Sequence, residues 1–427
     1  MRLRPLVLCI LLAMPITLNT RALAQLNPKE EVTRVAETRS VHQGFAWVQT
    51  HESDLRKFQT ELVSIPAPPF QEAKRAQWLA AKFKEVGLTD VEVDKTGNVT
   101  GLRKGTDANA KLVALTAHID TVFPADTEIK VRTEDKKMFG PGISDNGAGV
   151  TALYAIANAL KAGNIAHKAG ILFVGNVGEE GEGDLRGMRS LFSESKYKDK
   201  IERTIVIDGA GNDTIVTQAL GSHRFQVTVK GPGGHSWTDF GAPNPIIILS
   251  RAIAKFSETA VPTDPRTSFN VGTIEGGTSV NSIPETASAR VDIRSASADE
   301  IDRVEKALRA AVENAAREYQ PPKGSKKVSG VTFEIKSIGT RPAAELPSDA
   351  RILKIIRAVD QFLNIRSQTR RASTDANIPL SLGREAISIG AGGTGGGAHT
   401  VGEWYDTTGR DLGLKRVLLA LLALTGV

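Results

Sequence analysis

Two adjacent glutamates, Glu179 and Glu180, follow an apolar run of Ile-Leu-Phe-Val at positions 171–174. Neighbouring carboxylates repel each other, and the end of a buried strand is a poor place to solvate both of them. Nearby cations remove this repulsion, because a bound metal ion is the largest charge in its site. One glutamate can then bind metal while the other stays free as a general base. The pair therefore predicts a metal site at the end of this strand.

Further candidate ligands follow other apolar segments of the chain. They are His118 and Asp120 after LVALTA, Asp145 after FGPGIS, Asp208 after TIVI, and His399 after AISIGAGGTGGGA. Strands of an open α/β sheet present functional residues at their carboxyl ends, so these side chains are expected to converge. Imidazole and carboxylate ligands suit zinc, with cobalt or manganese as alternatives. Five or more candidates, with an aspartate able to bridge, predict two divalent ions ~3.5–4 Å apart that clamp a water and a scissile carbonyl.

Short apolar segments alternate with helical sequence along most of the chain, which favours an α/β domain. The segment from about 216 to 339 differs, since its strand-like and helical stretches follow the order β-α-β-β-α-β of a ferredoxin-like unit. We therefore expect a catalytic, metal-binding domain over 25–215 and 340–427, with a lid domain at 216–339 inserted into it.

The composition is that of an ordinary globular protein, with 41% hydrophobic and 24% charged residues among 427. The formal net charge is +6, and Arg2, Arg4 and Arg21 contribute three of the positive charges, which leaves about +3 beyond residue 24. This mild charge, without a basic run interleaved with aromatic residues, argues against a nucleic-acid partner.

The first 24 residues have the pattern of a secretory signal peptide. The basic MRLRP precedes the apolar LVLCILLAMPITL, and Ala-Leu-Ala before Gln25 is a typical cleavage site. The alternative is a membrane anchor, but the apolar run is shorter than the ~20 residues that a span requires. Cys9 is the only cysteine, so the mature chain would have no disulfide. We expect export to a bacterial periplasm, without membrane association after cleavage.

A set of motifs resembles the co-catalytic dizinc exopeptidases and amidohydrolases that include peptidase T, carboxypeptidase G and succinyl-diaminopimelate desuccinylase. The motifs are HIDTV, GPGISDNGAG, GEEGEGD, IDGAG, GPGGHS, GGTSVNSIP, VDIRS and GGGAHT. The resemblance extends from about residue 55 to the end of the chain. It implies a zinc-exopeptidase-like α/β catalytic domain, an inserted lid that also serves dimerisation, two zinc ions and a homodimer.

The resemblance also implies a role for each candidate residue. One metal would be held by His118 and Asp208, the other by Glu180 and His399, with Asp145 bridging both and Glu179 as the base. Asp120 would accept a hydrogen bond from the other ring nitrogen of His118 and fix its tautomer.

Three lid residues complete the set that the resemblance implies. His235 would reach the active site of the partner subunit and bind the developing oxyanion. Asn281 and Arg294 would hold the backbone or carboxylate of the substrate, for which a guanidinium fork is well suited. Purely structural roles are the alternatives for these and other candidates: a turn residue for His235 and Asn281, an edge-strand charge for Arg294, and a helix N-cap for Asp145 and Asp208.

Two positions depart from the family pattern. Asn146 stands where many relatives have a second aspartate after the bridging one. Asp208 is a glutamate in several deacylases and desuccinylases, and aspartate favours peptidases.

These observations predict an exported metal-dependent exopeptidase that hydrolyses an amide bond of short peptides in the manner of a di- or tripeptide aminopeptidase. The alternatives on the same site are an N-acyl-amino-acid amidohydrolase and a glutamate-type carboxypeptidase. A catalytically dead peptide-binding relative is less favoured, because every expected ligand and the base are present. A G-x-G-x-x-G match at 390–395 would indicate a nicotinamide cofactor, but neither the helix nor the acidic residue that such a site requires follows it.

Overall fold

The computed structural model describes residues 27–320, 323 and 330–427. The helices within these residues are α1 (Pro28–Ala36), α2 (Arg39–Thr50), α3 (Glu52–Val63), α4 (Ala73–Glu85), α5 (Gly147–Ala162), α6 (Arg186–Ser193), α7 (Pro245–Ser257), α8 (Ala298–Arg317), α9 (Arg351–Phe362), α10 (Asn377–Ser381) and α11 (Arg410–Thr425).

The strands are β1 (Thr89–Val93), β2 (Val99–Arg103), β3 (Leu112–His118), β4 (Arg132–Glu134), β5 (Lys137–Phe139), β6 (Ile171–Asn176), β7 (Ile201–Ile207), β8 (Thr214–Ala219), β9 (Gly221–Lys230), β10 (Gly234–His235), β11 (Thr267–Gly276), β12 (Ser282–Ile283), β13 (Thr286–Ser295), β14 (Thr332–Arg341), β15 (Ala344–Glu345), β16 (Gln368–Ala372), β17 (Glu385–Ile389), β18 (Thr394–Gly396) and β19 (Trp404–Asp406).

The largest sheet has nine strands in the order β1-β2-β6-β3-β7-β17-β8-β15, with β16 paired to β8. Its centre is parallel, since β3 pairs in parallel with β6 and β7, and β17 with β7. Every residue of β3 and β6 is buried, as expected for parallel strands covered by helices. The carboxyl ends of four neighbouring strands therefore meet at one edge of the sheet.

The inserted unit is an antiparallel sheet in the order β11-β13-β9-β14, with α7 and α8 packed on one face. Along the chain the elements run β9, α7, β11, β13, α8, β14, which is the predicted β-α-β-β-α-β order. Helix α8 buries Ile301, Val304, Leu308 and Val312, because residues three or four apart lie on one face of a helix. The predicted fold class, an α/β domain with a ferredoxin-like insertion, is confirmed.

The predicted signal peptide at 1–24 lies outside the described residues, so export stays a prediction. Among the helices of the described ranges, none combines the length and the apolar character needed to cross a membrane.

A buried ion pair joins the last helix to α9. Arg416 is fully buried and contacts Asp360 through two bonds, Nε to Oδ1 at 2.5 Å and Nη2 to Oδ2 at 2.8 Å. Removal of the carboxylate would leave an uncompensated buried charge. We expect Asp360→Asn to lower the free energy of unfolding by about 3–5 kcal/mol, measured by equilibrium unfolding in guanidinium chloride.

The matched control is Asp411→Asn, which removes a partly exposed partner of Lys415 one helical turn away and should cost less than about 1 kcal/mol. A loss of under about 1 kcal/mol for Asp360→Asn would contradict the prediction.

Candidate active site

The ends of β3 and β6 bring the first candidate residues together. His118 is the last residue of β3, and its Nδ1 lies 3.2 Å from the backbone oxygen of Asp120. This contact leaves Nε2 directed at the cluster of carboxylates. The Asp120 side chain is 3.6 Å from the same ring nitrogen, while its two oxygens accept the backbone N–H groups of Glu179 (3.0 Å) and Glu180 (2.8 Å). Asp120 therefore holds the turn that carries the glutamate pair as well as facing the histidine.

Asp145 lies between the two predicted histidine ligands. Its Oδ1 is 3.2 Å from Nε2 of His118, and its Oδ2 is 3.3 Å from Nε2 of His399. His118 is also 3.8 Å from Asp208, and His399 is 3.1 Å from Glu180. The structure thus brings all five predicted metal ligands together, with the two oxygens of one carboxylate facing the two sides of the cluster.

Ligand atoms in three groups lie within 4.8 Å of one another. The groups are His118 with Asp145 and Asp208, His118 with Glu179 and Glu180, and Asp145 with Glu180 and His399. Two imidazoles and several carboxylates are a donor set for zinc or a similar divalent cation. Since Asp145 is common to the first and third groups, the residues fit two ions that share this carboxylate.

Burial opposes the ionisation of the glutamate pair. Burial raises the pKa of Glu180 to about 8, and the charge of Glu179 adds to the shift. Burial also raises the pKa of Glu179 to about 7, although Arg341 opposes it. The hydrogen bond to Asp145 raises the pKa of His399 to about 9. Divalent cations bind neutral imidazoles and ionised carboxylates, so a bound metal would favour the ionised form of both glutamates.

The start of α5 shows why Asp145 is available as a ligand. The N-cap of this helix is Asn146, whose Oδ1 accepts the N–H of Gly149 at 3.0 Å. Its Nδ2 donates to the carbonyl of Ile207 at 2.9 Å, which ties the helix to the end of β7. The residue that departs from the family pattern therefore performs the capping, and Asp145 is not the cap.

Sequence reasoning missed Arg341, the last residue of β14. Its Nη1 donates to Oε1 of Glu179 at 2.8 Å and to Oγ of Ser373 at 3.1 Å, and Nη2 donates to the backbone oxygen of Glu179. This guanidinium fixes the orientation of the predicted base. An arginine at the end of a lid strand gave no sequence signal, because the contact spans 162 positions.

Glu403 was also missed, although it is completely buried beside the site. Its carboxylate accepts the backbone N–H groups of Gly142 (2.9 Å), Ser144 (2.7 Å) and Asp145 (2.7 Å). Burial nevertheless raises its pKa to about 7. Its position four residues after His399 is the one sequence signal that could have indicated it.

A third missed residue is Asp375, which is fully buried near the same cluster. Its Oδ2 accepts from Nδ2 of Asn176, the last residue of β6, at 2.7 Å. Burial and the charge of Glu179 raise its pKa well above the usual range. Asn176 and Asp375 therefore extend the polar cluster beneath Glu179.

The three predicted lid residues lie apart from the metal cluster. His235 is exposed on β10, and its Nδ1 accepts the N–H of Trp237 at 3.2 Å. Asn281 is an exposed turn residue that accepts from Ser279 at 2.9 Å. Arg294 contacts Asp292 at 2.6 Å. Within the described residues of one chain, none of the three contacts a predicted metal ligand, and the action of His235 across a dimer stays a prediction.

The G-x-G-x-x-G match does not open a helix. Its last two residues belong to the short strand β18, and a Cβ on Gly395 would collide with the Ser144 side chain. A Cβ on Gly390 would collide with the backbone oxygens of Ala210 and Gly211, so the glycines here allow two backbones to approach closely.

Comparisons with known proteins agree with this geometry. Residues 218–320 match the family model described as "Peptidase dimerisation domain", and residues 98–230 match "Peptidase family M28". An uncharacterized protein, YqjE of Bacillus subtilis, is 26% identical over 351 residues, which cover 78% of this chain and 88% of that protein.

Two solved structures illustrate the shared fold. Aminopeptidase PepT of Bacillus cereus has a TM-score of 0.70 and 20% identity, covering 88% of this chain and 99% of its own. The YXEP protein of Bacillus subtilis, described as a dinuclear metal binding peptidase from the M20 family, has a TM-score of 0.63 and 15% identity over 88% of this chain and 99% of its own.

The fold and the converging ligands define a hydrolase of the metallopeptidase class. In sequence and fold the chain is similar to metallopeptidases and amidohydrolases, among them aminopeptidase PepT of Bacillus cereus and the succinyl-diaminopimelate desuccinylase of Methylocella silvestris. The resemblance seen in the motifs is confirmed, and the match at 218–320 identifies the insertion as a dimerisation domain.

Glu403 offers a test of how the cluster is held. Replacing it with Gln keeps the size but directs an amide against N–H donors, which loosens the loop that carries Asp145. We expect metal affinity to fall about 10–100-fold in Glu403→Gln, measured by titration of the chelator-treated protein with zinc. The exposed Glu128→Gln is the control and should bind as the unmodified protein does. Unchanged affinity in Glu403→Gln would contradict a positioning role.

Proposed function

We propose that the protein is a metal-dependent exopeptidase that hydrolyses an amide bond in di- and tripeptides and releases the first residue. The observation that carries the proposal is the placement of Asp145 between two imidazoles, with the buried Glu179 and Glu180 behind it. The same arrangement would serve an N-acyl-amino-acid amidohydrolase or a carboxypeptidase, so the choice among these activities depends on how the ends of the substrate are bound.

His118, Asp208, Glu180 and His399 would hold two metal ions, most simply zinc, with Asp145 shared between them. Such ions would polarise the scissile carbonyl and lower the pKa of water at the site to ~7.

Glu179 would move the proton that the reaction requires. Its Oε1 is held by Arg341 and its backbone N–H by Asp120, which leaves Oε2 to take a proton from the attacking water and give it to the departing amine. A fixed carboxylate loses little freedom in the transition state, and general acid–base catalysis of this kind contributes about 10²–10⁴-fold.

The lid would contribute from a second copy of the chain. The dimerisation-domain match covers the segment that includes His235, and this residue is exposed on β10 near the exposed Trp237. Among the described residues of its own chain, His235 contacts none of the predicted ligands or the base, and an exposed histidine of this kind is suited to stabilise an oxyanion in the partner's site.

The first test uses the protein from Gln25 onward, supplied with zinc or manganese, and a panel of free and N-acetylated tripeptides. We expect loss of the first residue from free peptides only, abolished by a chelator and followed by mass spectrometry. Cleavage of only acetylated or C-terminal bonds would move the assignment to an amidohydrolase or a carboxypeptidase. Absence of any cleavage with two metals bound would contradict an exopeptidase.

The role of the base is tested separately. Glu179→Gln should lower kcat by about 10²–10⁴-fold while two metal equivalents remain bound, because the amide cannot accept the proton. The control is Glu182→Gln, whose carboxylate is exposed and contacts only Arg290 among the described residues. A loss of kcat below about tenfold in Glu179→Gln would exclude it as the base.

A further inference from the structure

A cavity lined by arginines lies at the junction of the lid and the catalytic domain. Its volume is about 390 Å³, and its lining residues are Leu220, Arg266, Ser268, Arg294 and Arg371. The three arginines come from separate elements: the loop before β11, strand β13 and the end of β16. The size is within the usual range of roughly 300–1,000 Å³ for small-molecule sites.

The register of the lid sheet places this cavity beside the active site. Ser222 on β9 pairs with Arg294 on one side and with Arg341 on the other. Directly paired residues of an antiparallel sheet share a face, so Arg294 and Arg341 point to the same side, about 10 Å apart across two strand spacings. Arg341 contacts Glu179.

Strand β16 also places the cavity close to Glu179. Arg371 is two residues before Ser373, whose hydroxyl accepts from Arg341 at 3.1 Å. The cavity is thus separated from the predicted base by roughly the length of two or three extended residues. A short peptide bound at the metal cluster could reach it with its C-terminal residue.

The cavity carries more positive charge than a single bound carboxylate would neutralise. Asp292 is shared by Arg294 (2.6 Å) and Arg224 (3.3 Å) and offsets part of their charge. Arg371 contacts the neutral Gln218 through Nε. Among the described residues, no carboxylate lies within ion-pair distance of Arg266 or Arg371. The main-chain carboxylate of a peptide can occupy one guanidinium fork, and the others remain available for a second acid group.

We propose that Arg266, Arg294 and Arg371 form a subsite for an acidic C-terminal residue, so that the enzyme prefers di- and tripeptides that end in Glu or Asp. The C-terminal residue of a peptide lies on the leaving-amine side of the bond to be cleaved, and its two carboxylates fit the three guanidinium groups. Arg266 and Arg371 are the specificity-determining residues of this subsite. The inference rests on the proposed peptidase function and names its substrate class.

The test compares Ala-Glu with Ala-Gln, and Ala-Ala-Glu with Ala-Ala-Gln, as substrates of the metal-loaded protein. Charge-assisted hydrogen bonds predict that kcat/KM favours the Glu peptide about tenfold or more. Arg371→Gln and Arg266→Gln should each reduce that preference to about twofold or threefold, through KM rather than kcat, because the Glu peptide loses more affinity than the Gln peptide, which has only its main-chain carboxylate to bind. The control is Arg366→Gln, an exposed arginine five positions before Arg371, which should keep the full preference.

Equal cleavage of the Glu and Gln peptides, or a preference that survives in both variants, would overturn the subsite but leave the peptidase function standing. If neither peptide is cleaved, calorimetric titration with glutarate, and with butyrate for comparison, tests whether the arginine subsite binds a second acid group. Glutarate binding that is stronger than butyrate binding and is lost in Arg371→Gln would support the subsite even though the peptidase assignment had failed. Equal or absent binding of the two acids would overturn it.

Discussion

The organisation of the candidate active site depends on several carboxylates being held close together at the carboxyl edge of the main sheet. Asp120, Glu179, Glu180 and Asp375 are buried there, and Asp145 lies among them. Taking an ionised carboxylate out of water costs several kcal/mol unless it is paired. The parallel strands bring these residues together because their carboxyl ends lie at the same edge. The surrounding groups must therefore offset the cost of burying several carboxylates at one place.

Backbone N–H groups supply much of the compensation. Asp120 and Glu403 together accept five of them, and in doing so they fix the two turns that carry Glu179, Glu180 and Asp145. These two acids are held by peptide dipoles, whereas the predicted ligands face imidazoles and one another. The division leaves the ligand atoms available to cations while hydrogen bonds hold the loops that carry them.

Much of this organisation could be predicted from the sequence. Apolar runs that end in His118, in the Glu179–Glu180 pair and in Asp208 indicated the parallel strands and their shared edge, and periodicity indicated the buried face of α8. Arg341, Asp375 and Glu403 could not be found in that way, because their contacts join segments far apart in the chain and their local sequence is unremarkable in periodicity. For the same reason the sequence indicated only the His118 side of Asp120, whereas the Asp120 oxygens also accept the backbone N–H groups of Glu179 and Glu180. The ligand roles and the domain boundaries stay predictions.

The position of Arg341 has a mechanical consequence. It is the last residue of β14 and so belongs to the lid sheet, but its guanidinium donates a hydrogen bond to Glu179 in the catalytic domain. A rotation of the lid about this junction would carry the guanidinium with it and release the glutamate. Lid position and the orientation of the base would then be thermodynamically linked, and each would favour the other by the same coupling free energy. Binding energy gained far from the scissile bond can in this way be expressed at the proton-transfer step.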